Sequence, residues 1–233
     1  MKKNFVIIAL VAISCLGITG CGKKDISEVR KPESVVTTES ETNNKFECNI
    51  SDIDQVNYKV DSYNGNNNEI VIPDEYNGKP IIEISADVFF DRQIKSVKLG
   101  NNIQVIGEYA FSSNSDLTSV TLNEGLKEIK ESAFSTSGLT GNIVIPDSVE
   151  TIGVSAFGTT KLESVEFGNS IKNIAAGAFK ENTTLKKVTF NNTDVEFEDG
   201  AVFEDCPNLT IVAPKGSTAE KYAKDNNINF EER

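Results

Sequence analysis

Leu117-Thr118-Ser119-Val120-Thr121-Leu122, followed by Asn123, Leu126, Ile129, Ala133 and Phe134, is the stretch that decides the fold. Val120 and Leu122 alternate with polar residues, the period of a short strand with one face turned inward. Asn123 then turns the chain. Leu126, Ile129 and the Ala133-Phe134 pair follow as a second apolar group. So short a segment cannot bury both groups by itself.

The same spacing recurs on either side. Ile94, Val97, Leu99, Ile103, Ile106, Ala110 and Phe111 precede it, and Leu139, Ile143, Ile145, Val149, Ile152, Ala156 and Phe157 follow. Then come Leu162, Val165, Phe167, Ile171, Ile174, Ala178 and Phe179, and a drifted copy from Leu185 through Val188, Phe190, Val195 and Phe197 to Val202 and Phe203. A degenerate first copy runs through Ile70, Ile72, Ile81, Ile84 and Phe89. The phenylalanines at 89, 111, 134, 157, 179 and 203 mark a period of 22 to 24 residues. Repeats of that length stack into a solenoid, each burying its apolar groups only against its neighbours. The expected fold is therefore a β-rich repeat coil of about six repeats.

Pro73, Gly100, Asn123, Pro146, Gly168 and Asn191 stand directly after each strand, and every one is a turn former. Three residues beyond each phenylalanine lie Arg92, Asn114, Ser137, Thr160, Asn182 and Cys206. Ser, Thr and Asn there can hydrogen-bond the backbone at the corner between coils. Cys206 reads as the small buried member of this column and is expected reduced. Stacked coils rise about 4.8 Å each, so Cys48 and Cys206 should lie beyond disulfide reach.

Residues 46–69 suggest short strands closing the first coil. Repeats then span 70–208, and 209–233 form a C-terminal cap. Ser217 is placed to N-cap a helix through Lys224 that Asn226-Asn227 ends. Tyr222 and Ala223 would cover the last coil, with Ile228 and Phe230 closing the edge.

The N-terminus carries a processing signal. Lys2 and Lys3 precede an apolar run from Phe5 to Leu16, too short and too interrupted to span a bilayer. Leu16-Gly17-Ile18-Thr19-Gly20-Cys21 resembles a lipobox. That resemblance implies cleavage of residues 1–20, a diacylglyceryl group on Cys21 and display on the extracellular face of a bacterial membrane. In the alternative, a plain secreted protein, Cys21 is incidental. Two acyl chains anchor stably where one is marginal. Residues 22–45 are polar, without an aromatic, and read as a tether with a mean reach of roughly 25–30 Å.

The net charge of −12 becomes −14 once Lys2 and Lys3 leave, since residues 1–20 hold no acidic residue. Such a surface repels phosphate backbones, so no nucleic acid partner is expected. The chain has no histidine, which removes the usual general base and the commonest metal ligand. Glu163 and Glu166 are close in sequence, but alternation leaves both exposed, so no catalytic pair is expected. The oxygen-rich loops Asn64 to Glu69 and Asp194 to Gly200 match no calcium-loop pattern. Neither a cofactor nor a metal is expected.

The pattern L-x-x-V-x-L-P-x-x-[VL]-x-x-I-x-x-x-A-F resembles the BspA-like leucine-rich repeats of bacterial surface proteins, over about residues 46–233. The resemblance implies a leucine-rich-repeat fold, a cell-surface location and, in some members, adhesion; it carries no catalytic signature. The outward strand residues form the candidate binding face: Lys95, Ser96 and Lys98; Thr118, Ser119 and Thr121; Gly141, Asn142 and Val144; Glu163, Ser164 and Glu166; Lys186, Lys187 and Thr189. The face holds no aromatic residue and no arginine, the usual anchors of tight interfaces. Two readings stay open: a monomeric interaction module for an extracellular protein, and an envelope component with no dedicated ligand.

Overall fold

The computed structural model describes residues 45–198 and 201–233. The signal segment, Cys21 and most of the tether lie outside the described residues. In chain order the first strands are β1 (Phe46–Ile50), β2 (Tyr58–Tyr63), β3 (Glu69–Val71), β4 (Glu75–Tyr76), β5 (Lys79–Ile84), β6 (Ser96–Lys98), β7 (Val105–Ile106) and β8 (Ser119–Thr121). There follow β9 (Glu128–Ile129), β10 (Thr140–Ile145), β11 (Thr151–Ile152), β12 (Lys161–Phe167), β13 (Asn173–Ile174) and β14 (Lys187–Thr189). The chain ends with β15 (Glu196–Phe197), β16 (Thr210–Ala213), α1 (Thr218–Asp225) and β17 (Asn229–Glu232).

Each repeat makes two strands. The V-x-L strands stack in parallel as β3-β6-β8 and as β10-β12-β14-β16-β17. The L-x-x-I segments form a second parallel ladder, β5-β7-β9-β11-β13-β15, on another side of the coil. The molecule is thus the β-rich repeat solenoid the spacing implies, and β16 and β17 add two cap rungs beyond the six repeats.

The phenylalanine side is neither strand nor helix. Around Phe111 the residues two before and two after, Tyr109 and Ser113, have φ of 54° and 61°. Ser132 and Thr136 do the same around Phe134 (52° and 55°), as do Ser155 and Thr159 around Phe157 (51° and 54°). This alternation of hand aims every second N–H along the stack. Tyr109, Phe111 and Ser113 donate to the carbonyls of Glu131, Ala133 and Ser135 in the next coil, at 2.9, 2.8 and 2.9 Å. Left-handed backbone is costly for a β-branched residue such as Thr136 or Thr159. A coil-to-coil hydrogen bond at each such position offsets that cost.

Inside, Phe89, Phe111, Phe134, Phe157, Phe179 and Phe203 stack in sequence, with centroids 5.1–5.5 Å apart and planes within 20° of parallel. Offset stacking at this distance adds to the burial of each ring. Tyr63 closes one end at 5.5 Å from Phe89, and Tyr222 closes the other at 6.0 Å from Phe203. Burying each phenylalanine contributes roughly 1.5–3 kcal/mol in transfer terms.

Asn114, Ser137, Thr160 and Asn182 of the corner column are buried, whereas Arg92 is exposed and Cys206, expected as a buried member, is half-buried. Asn114 accepts from the N–H groups of Arg92 and Ile94 (3.2 and 3.0 Å) and donates to the carbonyls of Phe89 and Phe111 (2.8 and 2.9 Å). Asn182 donates to Phe157 and Phe179 in the same way, and Thr160 donates to Asn182 Oδ1. Cys206 donates through Sγ to the Phe179 carbonyl at 3.2 Å. Cys48 and Cys206 are both free thiols. At the opposite corner Gly100 sits under Pro73, where a Cβ would come within 2.7 Å of the Pro73 carbonyl oxygen.

The caps follow from local sequence. β1 and β2 form an antiparallel hairpin, and β2 continues the L-x-x-I ladder onto β5. Ser217 caps α1, its Oγ accepting from Glu220 N at 3.2 Å, and Asn226 ends the helix. Tyr222 and Ala223 are buried against the last coil, and β17, carrying Phe230, pairs with β16 as the final rung.

Candidate functional site

Strand alternation places the candidate residues in two outward rows. One row reads Glu69, Ser96 and Ser119 on the first sheet, then Asn142, Ser164, Lys187, Thr210 and Asn229 on the second. The other reads Val71, Lys98 and Thr121, then Val144, Glu166, Thr189, Val212 and Glu231, of which Val212 is buried. Lys95, Thr118, Glu163 and Lys186 flank the rows at the strand entries. The inward partners Val97, Val165 and Val188 are buried. The candidate residues are exposed, apart from the half-buried Gly141, Ser164 and Thr189.

The face is lightly cross-linked. Ser164 Oγ donates to Asn142 Oδ1 at 2.8 Å, and Lys186 pairs with Glu163 at 3.1 Å with both side chains mostly in water. An exposed pair of this kind adds little stability. Glu163 is the bulged residue of β12, skipped where Gly141 pairs with Leu162 and Asn142 with Ser164. Glu163 and Glu166 therefore face solvent on either side of a bulge, with Lys186 bound to the first.

Sequence reasoning stopped the rows short. Val71 and Val144 are 52% and 62% exposed; Val71 lines up with Lys98 and Thr121, and Val144 with Glu166. Glu69 and Val71 escaped notice because the first repeat is degenerate. Thr210, Asn229 and Glu231 belong to cap rungs, and the register Leu209-x-Ile211-x-Ala213 was the signal that could have found the first of them. The rows also do not form one sheet: β8 and β10 belong to separate sheets.

Elsewhere an open groove of about 1060 Å³ separates the last coil from α1, floored by Phe203, Cys206, Tyr222 and Ile228 and edged by Glu181, Glu204 and Asp205. Burial pushes the Cys206 thiol up to about 11, and burial with the nearby Asp61 does the same to Cys48. Neither thiol is poised to act as a nucleophile at neutral pH. Among the described residues no group of three or more Cys, Asp or Glu is arranged to hold a metal ion, and no helix is long and apolar enough to cross a membrane.

Two parallel ladders, a stacked phenylalanine spine and a hydrogen-bonded corner column define a leucine-rich-repeat solenoid presenting a polar strand face. The chain belongs to the BspA type leucine-rich repeat family, whose model matches six copies over residues 82–212. Among solved structures it is similar to a leucine-rich repeat protein of T. pallidum, at 24% identity over 81% of this chain and 96% of that one, with a TM-score of 0.64. It is also similar to the pneumococcal vaccine antigen PcpA, at 19% identity over 75% of this chain and 44% of that one, with a TM-score of 0.60. Comparison with curated proteins finds no significant match.

Proposed function

We propose that the protein is a non-catalytic interaction module, held by lipid on Cys21 at the extracellular face of a bacterial membrane and contacting an extracellular protein through the V-x-L face. The observation that carries the contact surface is the pair of outward rows, mostly polar side chains with the exposed Val71 and Val144 among them, in fixed register on hydrogen-bonded strands. Family membership supports a surface location, and the lipobox-like Leu16 to Cys21 supports the anchor. With no Trp, Tyr or Arg anchor in the rows, single contacts are weak and binding strength comes from many tethered copies.

The anchor is tested by labelling cells with a palmitate analogue, comparing wild type with Cys21→Ala, and digesting intact cells with protease. Label and surface digestion that both depend on Cys21 support the reading. Unlabelled protein released to the medium by both strains removes the anchor. The face is tested by comparing monomeric and bead-clustered protein on host and bacterial surfaces, with Ser119→Arg/Ser164→Arg as the altered face. Clustered binding lost in the variant supports the module; a nanomolar partner for the monomer overturns the weak-contact reading. Clustered protein that binds nothing leaves the envelope-component reading.

A further inference from the structure

The V-x-L ladder is interrupted at one place, and its cause can be read residue by residue. Leu117 to Val120, Leu162 to Val165 and Leu185 to Val188 are each three steps, whereas Leu139 to Ile143 is four. Gly141 takes up the extra residue at φ +69°. The strand that follows is in register with β12 only after a bulge, and it does not pair with β8 at all. At the strand entry Gly138 and Thr140 still donate to the carbonyls of Asn114 and Thr118, at 3.0 and 3.2 Å. Beyond that, Ser119–Thr121 and Asn142–Val144 share no ladder. Val120 is only half-buried, where Val97, Val165 and Val188 are buried; Ile143, the inward residue of β10, stays buried.

The other sides of the same two coils are continuous. Glu128 and Ile129 pair with Thr151 and Ile152. Phe134 lies 5.3 Å from Phe157, with the planes 9° from parallel. Ser132, Phe134 and Thr136 donate to Val154, Ala156 and Gly158, at 2.8, 2.8 and 2.9 Å. One side is therefore hydrogen-bonded and ring-stacked along its length, and the opposite side is joined only at the strand entry. That asymmetry is the geometry of a hinge.

We infer that the solenoid flexes at this seam, with the L-x-x-I ladder and the phenylalanine stack as the fixed edge and the V-x-L face as the opening edge. The seam divides the candidate face into a part bearing Lys95 and Lys98 and a part bearing Glu163, Glu166, Lys186 and Lys187. Flexing changes the spacing between the two, so a ligand touching both would select one spacing. The single extra residue at Gly141 sets this behaviour.

Hydrogen exchange on the full mature chain in detergent micelles tests it. Backbone amides of 119–122 and 142–145 that face the seam should exchange at least about tenfold faster than their counterparts at 164–167 and 187–190, while 128–134 and 151–157 stay slow. Deleting Gly141 restores the three-step spacing and should slow exchange at both seam strands. Equal protection across the seam and across β12–β14 in the unaltered chain overturns the inference, whether or not the deletion variant folds. A folded deletion variant with unchanged seam exchange also overturns the role given to Gly141.

Discussion

Asn114 donates through Nδ2 to the carbonyl of Phe89, 25 residues earlier in the chain, at 2.8 Å. The same amide serves Phe111 in its own coil, and its oxygen takes the N–H groups of Arg92 and Ile94. One fully buried side chain thus satisfies backbone groups of two consecutive coils. Removing it leaves several buried polar groups unpaired, so Asn114→Ala should cost about 3 kcal/mol of stability. Urea unfolding followed by circular dichroism measures it.

Ser137 occupies the next position of that column and behaves oppositely. Its side chain is buried and its Oγ has no hydrogen-bond partner. Ser137→Ala removes an unsatisfied group and loses no bond, so its stability should stay within about 0.5 kcal/mol of wild type or rise. The same urea experiment separates the two column members.

Phe134 and Phe90 should differ by position alone. Phe134 is fully buried between Phe111 and Phe157, whereas Phe90, next to a spine ring, is 46% exposed. Phe134→Ala opens a cavity in the centre of the stack and should cost about 3–5 kcal/mol. Phe90→Ala should stay within about 0.5–1 kcal/mol. Thermal unfolding of the two variants tests the contrast.

Alkaline pH should weaken the fold through its thiols. Cys48 and Cys206 have folded-state values raised from 9.0 to about 11, chiefly because burial disfavours the thiolate. The folded state therefore holds these protons more tightly than the unfolded chain. The resulting stability is present below pH 9 and is lost as pH rises from about 9 through 11. Iodoacetamide labelling of both thiols at pH 8 should accordingly be slow in the native protein and fast in urea, read by mass spectrometry of the two peptides.

The C-terminal cap depends on one hydroxyl. Ser217 Oγ accepts the Glu220 N–H, and Gly216 N donates to Glu220 Oε2, so loop and first turn hold each other. Ser217→Ala should cost about 1 kcal/mol. The loss should concentrate at Tyr222 and the rung it covers, which hydrogen exchange of 201–213 and 218–225 would register.

Much of this architecture was legible in the chain. The regular return of Phe111, Phe134, Phe157 and Phe179 compels stacking, because no single coil can cover its own ring. Turn formers such as Gly100 and Asn123 mark corners, and Asn114 and Asn182 mark a buried column, because their chemistry suits few other places. Ser217 announced a helix start by the same logic. These features rest on local spacing and side-chain type, which a linear sequence states in full.

Other features depend on what one coil does to the next. Thr136 and Thr159 are poor candidates for left-handed backbone by local preference, and they adopt it because the carbonyls of Gly158 and Lys180 wait in the neighbouring coil. The two-residue strands at Val105–Ile106 and Glu128–Ile129 are too short to announce themselves, and exist only as rungs of a shared ladder. The extra residue at Gly141 was visible as spacing, but whether it bulged outward, slipped the register or parted two strands was a question of competing hydrogen bonds. Sequence by itself determined that the chain coils, where each coil turns and which residues face inward. The tertiary structure alone decided that β10 would keep its ladder with β12 and give up the one with β8, since hydrogen bonds and packing across the stack outweigh local preference.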